Sequence, residues 1–213
     1  MKNTKTALLA GATGLVGKQV LKQLLANENY EKVIVLLRKP LALEHPKLEQ
    51  KIVDFNNLQA KDIVADHVFC CLGTTMAIAG SKEAFYKVDF TYPYEIAKLA
   101  KQNGTSVFGI ITAMGSSQKS MFYYSRVKGE IEDQLKRLNF DSLLIFRPSM
   151  LLGDRGDQRL GETLGKAFMN AIDFMTPKKY KGIYDTQVAQ AMISYAQQAP
   201  KGTHIIENDL MLG

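Results

Sequence analysis

The sequence predicts an α/β protein built on a doubly wound parallel sheet, with a small C-terminal segment beside the strand ends. Three observations carry that expectation. Short apolar, β-branched runs alternate with longer segments of helical periodicity, which is the pattern of parallel strands joined by crossover helices. A glycine-rich turn stands where the first strand passes into the first helix. The length of 213 residues, at roughly 150 per domain, gives about 1.4 domains. Residues 1–213 are therefore expected to form one domain, and residues 149–213 a smaller part of it that does not fold alone.

The elements follow in order. Lys5 to Ala10 reads as a short buried strand, and Leu15, Val16, Val20, Leu21, Leu24 and Leu25 place a helix from there to about Asn27. Lys32 to Arg38 is a second buried strand, with Pro40 and Pro46 in the loop beyond it. Leu48 to Phe55 is a weaker third strand and His67 to Gly73 a fourth. Ser81 to Gln102 is helical in character, with Pro93 as a local break. Ser106 to Ala113 is the fifth strand, Met121 to Leu138 a helix with one charged face, and Ser142 to Met150 the sixth strand. A late helix runs from Asp185, read as its N-cap, to Gln198, and His204 to Glu207 is a last strand. Lys2 and Lys5 before the apolar run Thr6 to Val16 imitate a signal peptide, but Gly11 and Gly14 break the run as a strand–turn–helix requires.

Composition narrows the classes. With 46% hydrophobic and 23% charged residues, the chain is neither disordered nor fibrous. Twenty-seven Lys and Arg against 21 Asp and Glu leave a net charge of +6, which favours an anionic partner: nucleic acid, a membrane surface or a phosphorylated small molecule. The basic residues are scattered, the densest cluster being Lys178-Lys179-Tyr180-Lys181, and no helix-turn-helix, zinc or basic–aromatic signature is present. No run reaches the roughly 18 apolar residues of a membrane helix. Nucleic acid and membrane are therefore not expected as partners. Cys70 and Cys71 are the two cysteines. Neighbours on a strand point to opposite faces and do not pair, so both read as core residues, and a reducing cytoplasm is the expected compartment. His45, His67 and His204 lack metal-ligand spacing, and no metal is expected.

The turn Gly11-Ala12-Thr13-Gly14-Leu15-Val16-Gly17 (GxxGxxG) has the strand before it and the helix after it that a dinucleotide-binding turn requires. Gly11 permits the tight turn, Gly14 lets the backbone approach a pyrophosphate, and Gly17 lets the helix pack on the sheet. The helix N-terminus offers free N–H groups to the phosphates. The second strand ends in Arg38-Lys39, whereas Glu31 sits at its opposite end. A basic residue there accepts the 2′-phosphate of NADP(H) where an acid would bind the ribose of NAD.

Tyr124 and Lys128 stand four residues apart on a predicted helix and share a face. Tyr123 lies about 140° round the helix from Lys128 and is the weaker candidate. A nearby ammonium favours a phenolate, and such a tyrosine donates a proton to a carbonyl as hydride arrives. The lysine can also hold a nicotinamide ribose.

GATGLVG, CLGTT (Cys71 to Thr75), YxxxK and FRPSMLLGDR (Phe146 to Arg155) occur in the order of the short-chain dehydrogenase/reductase superfamily, and the chain resembles its extended or atypical branch. More narrowly, CLGTT, YYSRVKGEIE and FRPSMLLGDR are similar to the Tat-interacting-protein group of oxidoreductases and its bacterial relatives, from about residue 5 to residue 210. The resemblance implies a Rossmann fold with NADP(H) across the strand ends. It implies Gly11, Thr13, Gly14, Leu15 and Val16 at the pyrophosphate, Arg38 at the 2′-phosphate with Lys39 nearby, and Asp54 and Phe55 flanking the adenine. Leu72, Gly73 and Thr74 would line the path to the ribose, Tyr124 and Lys128 would meet the nicotinamide, and Pro148, Ser149 and Met150 would approach the carboxamide through their backbone.

The superfamily usually carries a serine at the end of the fifth strand to hold the substrate carbonyl. Here that strand ends Ile111-Thr112-Ala113-Met114-Gly115. Thr112 is the expected catalytic substitute, with Ser116 and Ser117 as alternatives. The expected function is an NADP(H)-dependent oxidoreductase acting on a small carbonyl or alcohol, as a monomer or homodimer. The alternative is an NADPH-binding redox sensor or partner-binding module without catalysis. Residues Asp154 to Arg159 are expected to loop over the active site, and the region from Phe168 to Phe174 to line the substrate pocket.

Overall fold

The computed structural model describes residues 4–153 and 177–212. Asp154 to Arg159 and Phe168 to Phe174 lie outside the described residues. Seven strands form one sheet: β1 (Lys5–Ala10), β2 (Tyr30–Leu37), β3 (Leu48–Ile52), β4 (His67–Cys70), β5 (Val107–Ile111), β6 (Ser142–Arg147) and β9 (Gly202–Glu207). Their order is β3-β2-β1-β4-β5-β6-β9, every pair parallel. The chain steps outward from β1 to β2 and β3, then returns to the other side of β1 as β4. The strand order reverses there, which opens the crevice where ligands of such sheets bind. This is a Rossmann fold. A separate parallel pair, β7 (Leu151–Leu152) and β8 (Ile183–Tyr184), lies beyond the end of β6.

Strand alternation divides the core. Ala7 and Leu9 of β1 pack with helices α1 (Leu15–Ala26) and α6 (Asp185–Gln198), whereas Leu8 and Ala10 pack with α4 (Tyr92–Gln102) and α5 (Tyr123–Arg137). Cys70 and Cys71 go to opposite layers for the same reason. Both faces of the sheet are thus dry, and the near-continuous apolar runs of β1, β2 and β6 follow from that.

Helix ends and bends differ most from the pattern in the sequence. Pro93 does not break the 81–102 segment. It lies in the first turn of α4, directly after a π-helical turn (Lys87–Thr91) that continues α3 (Lys82–Tyr86). The wider turn accommodates a residue with no N–H to donate. Asp185 is the first residue of α6 rather than its cap. The N–H of Tyr184, just before it, donates to Gln187 Oε1 at 3.1 Å. Two short helices, α2 (Met76–Ala79) and α7 (Asn208–Met211), carry no periodicity long enough to read. Among the described residues, no helix is long and apolar enough to cross a membrane.

At the starts of β2 and β4, Tyr30 and His67 form a buried pair, with the phenol oxygen 2.9 Å from Nδ1. Burial, with Lys5 nearby, pushes His67 down to about 4, so the folded protein holds it neutral while the unfolded chain protonates near 6.5. The unfolded state then binds more protons between these values. Stability is full above about pH 6.5 and falls as pH drops toward 4, by roughly 3 kcal/mol for this group. Urea midpoints measured from pH 7.5 to 4 should show that acid limb, and His67→Gln, which keeps an acceptor for Tyr30, should flatten it.

Candidate active site

The glycine turn shows which of its residues the protein itself demands. Gly11 has φ +89°, and a Cβ there would lie 2.5 Å from the Cys71 carbonyl oxygen. A Cβ on Gly17 would lie 1.9 Å from the Gly11 carbonyl oxygen. Gly14 is different: a Cβ on it would meet only Gly11 O at 3.4 Å and Cys71 O at 4.0 Å. Its exposed face is left open toward the solvent side of the turn. Gly14 also begins α1 with no side-chain cap and no acidic residue in the first turn. The N–H groups of that turn therefore lack intrahelical acceptors and face outward. An open glycine beside an uncapped N-terminus suits a pyrophosphate, with Thr13 exposed and Leu15 half-buried next to it and Val16 buried in the core. The residues fit the nucleotide that the motif predicts.

β2 ends at Leu37, so Arg38 and Lys39 are the first residues beyond the sheet. Both are exposed and without partners among the described residues. Glu31, at the other end of the strand, accepts from the Thr4 hydroxyl. Asp54 is exposed and turns the chain by accepting from Asn56 N–H at 2.9 Å. Phe55 is 9% exposed with its ring 5.6 Å from Tyr92; it belongs to the core and is not free to stack on an adenine. Leu72 and Thr74 are half-buried and Gly73 is exposed. Around Pro148–Met150, three backbone groups are already engaged: Pro148 O accepts from Met114 N–H, Ser149 N–H donates to Asn208, and Met150 O accepts from Ile183 N–H. The Ser149 hydroxyl donates to Lys181 O.

The two tyrosines at the start of α5 separate cleanly. Tyr123 donates to Lys82 O at 3.0 Å and has Lys82 and Arg126 against its ring. Tyr124 is 39% exposed, its ring 5.7 Å from Phe85, and its hydroxyl has no hydrogen bond among the described residues. One turn on, Lys128 is 4% exposed with Nζ 2.8 Å from Asp89 Oδ1. Burial disfavours its ammonium, but the charges of Asp89 and Tyr124, the Asp89 hydrogen bond and Cys70 outweigh that and hold it above the usual lysine range. Gly129 follows because the 117–118 backbone lies against it: a Cβ would meet Ser117 C at 2.2 Å.

Thr112 does not fill the orienting role. It is buried, and its hydroxyl donates to Glu132 Oε1 at 2.7 Å, leaving no proton for a substrate carbonyl. Glu132, also buried, is paired with Arg147, which reaches Glu207 on β9. This is a structural cluster tying α5 to β5, β6 and β9. Ala113 has no hydroxyl. Ser116 donates to Ala113 O at 2.6 Å, whereas the Ser117 hydroxyl only accepts, from Lys119 N–H at 3.3 Å. A groove of about 580 Å³ runs from Ala12 and Thr13 of the glycine turn along α1 to loop 41–45, lined by Leu21, Leu25 and Leu41. It forms where the β2–β3 connection has no helix. Among the described residues, no three His, Cys, Asp or Glu converge as metal ligands.

The profile of the NAD(P)H-binding family matches residues 11–198. The chain belongs to the NAD(P)H-binding family. Protein HTATIP2 of Rattus norvegicus is 33% identical over 98% of this chain and 88% of its own length. The mitochondrial protein FMP52 of Candida albicans is 30% identical over 92% and 90%. Among solved structures, MoeE5 in complex with UDP-glucuronic acid and NAD superposes with TM-score 0.73 over 95% of this chain and 76% of its own, at 14% identity, a likeness of fold alone. The expected resemblance to NAD(P)-binding Rossmann proteins is borne out by the family match and by these relatives. The cytoplasmic expectation is not: fungal relatives carry mitochondrial names. Two adjacent cysteines that cannot pair with each other stay free in any compartment, so they do not identify one.

The three glycines should separate by substitution. Gly17→Ala forces backbone apart and should cost about 2–3 kcal/mol, a fall of roughly 5–10 °C in Tm. Gly14→Ala should melt within about 2 °C of the parent yet weaken NADPH binding by about tenfold or more, because the added methyl occupies the phosphate approach. Thermal melts and fluorescence titration with NADPH check both.

Proposed function

We propose that the protein is an NADP(H)-dependent oxidoreductase that transfers hydride between the nicotinamide and a small carbonyl or alcohol. One observation carries the reading: an exposed tyrosine with an unengaged hydroxyl, Tyr124, shares a face of α5 with a buried ammonium, Lys128. The α1 N-terminus and Gly11 to Val16 would hold the pyrophosphate, and Leu72 to Thr74 would line the path to the ribose. Arg38, with Lys39, would bind the 2′-phosphate. Two unpartnered cations beyond β2, with no acid in that place, support NADP(H) over NAD. Asp54 would border the adenine.

When bound, the nicotinamide supplies or accepts the hydride. Tyr124 gives its proton to the carbonyl oxygen as negative charge builds there, and takes it back in the alcohol direction. The Lys128 ammonium stabilises the negative charge left on the phenolic oxygen. Of the three hydroxyls considered for the orienting role only that of Ser117 keeps an uncommitted proton, and it borders Gly129, Asp133 and Lys136 further along α5, so the proposed reaction assigns no orienting hydroxyl beside Tyr124. Residues 149–213 shape the substrate side, and the partners are small molecules rather than nucleic acid or membrane. A second reading, an NADPH-binding sensor, is favoured by one specific observation: Thr112 is locked to Glu132 and Ala113 offers no hydroxyl in its stead.

Two substitutions test the assignment. Tyr124→Phe should lower turnover at least 100-fold across a panel of aldehydes, ketones and quinones while the Kd for NADPH stays within about twofold; full turnover overturns the mechanism, and no turnover by the parent across the panel favours the sensor. Arg38→Ala should weaken NADPH about 10- to 100-fold, the worth of a charge-assisted phosphate contact, and leave NADH unchanged.

A further inference from the structure

Asp89 is the residue on which the placement of Lys128 depends, and none of the motifs includes it. It sits on the π-helical turn between α3 and α4 and is 1% exposed. Such turns are rare and often accompany functional sites. Its two oxygens face two different elements. Oδ1 lies 2.8 Å from Lys128 Nζ on α5, and has no hydrogen-bond donor beyond that ion pair. Oδ2 accepts the Thr74 N–H at 2.9 Å, on the turn that follows β4. A Cβ on Gly73 would lie 3.6 Å from both Asp89 Oδ1 and Lys128 Nζ, so the pair lies directly against the backbone of that turn.

An ammonium taken out of water without a counter-charge costs several kcal/mol. Three groups act on Lys128 from the elements packed about it: Asp89 from the π turn, Tyr124 from its own helix and Cys70 from β4. Cys70 is itself buried, and burial pushes its thiol up to about 11, so it is neutral at pH 7. Asp89 is therefore the one full negative charge beside the lysine at neutral pH among the described residues.

We propose that Asp89 is a positioning residue of the active site: it keeps Lys128 charged and aimed at the Tyr124 side of the cleft, and through Thr74 it fixes the β4 turn to the same point. The proposal rests on the reading of Tyr124 and Lys128 as the chemical end of a nicotinamide site. The lysine and the turn then act as one unit, and both would be presented to the cofactor's ribose in a single arrangement.

Asp89→Asn separates the two functions. The amide oxygen can still accept from Thr74 N–H, but the charge is gone, and a buried lysine without it loses its proton at lower pH. Titrations of NADPH, followed by fluorescence from pH 6 to 9.5, should be flat for the parent. For Asp89→Asn, affinity should fall about tenfold or more at pH 8 and recover toward pH 6 as Lys128 regains its proton, and Asp89→Glu should restore the flat profile. The double variant Asp89→Asn/Lys128→Met should bind NADPH no worse than Lys128→Met and, in cofactor-free melts, should unfold at a higher temperature, because the single variant strands a buried carboxylate. A parent-like profile for Asp89→Asn, or losses that add in the double variant, overturns the proposal. If Lys128→Met binds NADPH like the parent, the reading of the lysine as a cofactor contact fails instead, and the cofactor-free melts still decide whether Asp89 and Lys128 act as a pair.

Discussion

Three stretches of backbone meet at Gly11 with no room for a side chain, and the site is built outward from that contact. The carbonyl of Gly11 lies beneath Gly17, and the carbonyl of Cys71 lies beneath Gly11 itself. The first contact sets the angle at which α1 leaves the sheet, and so aims its N-terminus over the crevice. The second brings the turn after β4 against the same point. Packing at this density does not deform gradually, so a displacement at either place moves both the helix proposed to hold the phosphates and the turn that runs beside it.

From the β4 turn the constraint passes to the chemical end. Thr74 N–H, Asp89 and Lys128 form a continuous polar path from the turn to α5, and Tyr124 stands one helical turn before the lysine. A second buried acid, Glu132, is one turn further along α5 and faces Thr112 and Arg147. The helix is thus held at two levels by two buried carboxylates with different partners. Asp89 joins it to the cleft, and Glu132 joins it to β5 and, through Arg147, to β6 and β9.

The strand alternation and glycine spacing made the sheet legible in the sequence, because both are local patterns with one structural solution. All seven strands of the sheet overlap the segments expected for them, with ends shifted by a few residues: β2 runs from Tyr30 to Leu37, β3 stops at Ile52, and β9 starts earlier, at Gly202. What escaped were features set by distant partners. Thr112 looks available from its neighbours, and only Glu132, 20 residues on, shows that it is not. Phe55 reads as a strand-end aromatic until Tyr92 draws it into the core. Asp89 lies in a segment whose apolar periodicity reads as an ordinary helix, and its role comes from the fold bringing Thr74 and Lys128 to its two oxygens. Pro93 was the one local signal in that segment. Its effect was to widen a turn rather than to end a helix.

The division of α5 between two buried acids also bears on the missing serine. A hydroxyl at the end of β5 could serve either the substrate or the helix, and here Thr112 serves the helix, one residue before a position with no hydroxyl at all. An oriented donor to the carbonyl is worth a few kcal/mol of transition-state stabilisation, so in the proposed reaction its absence from β5 would leave the electrostatic work to what remains. That is the exposed hydroxyl of Tyr124 and the ammonium beneath it, whose charge is sustained at 4% exposure by a carboxylate that is itself buried. The proposed pyrophosphate end of the cleft depends on backbone geometry, with side-chain charge entering only at Arg38 and Lys39. The chemical end depends on one ion pair, and it is the more easily altered of the two.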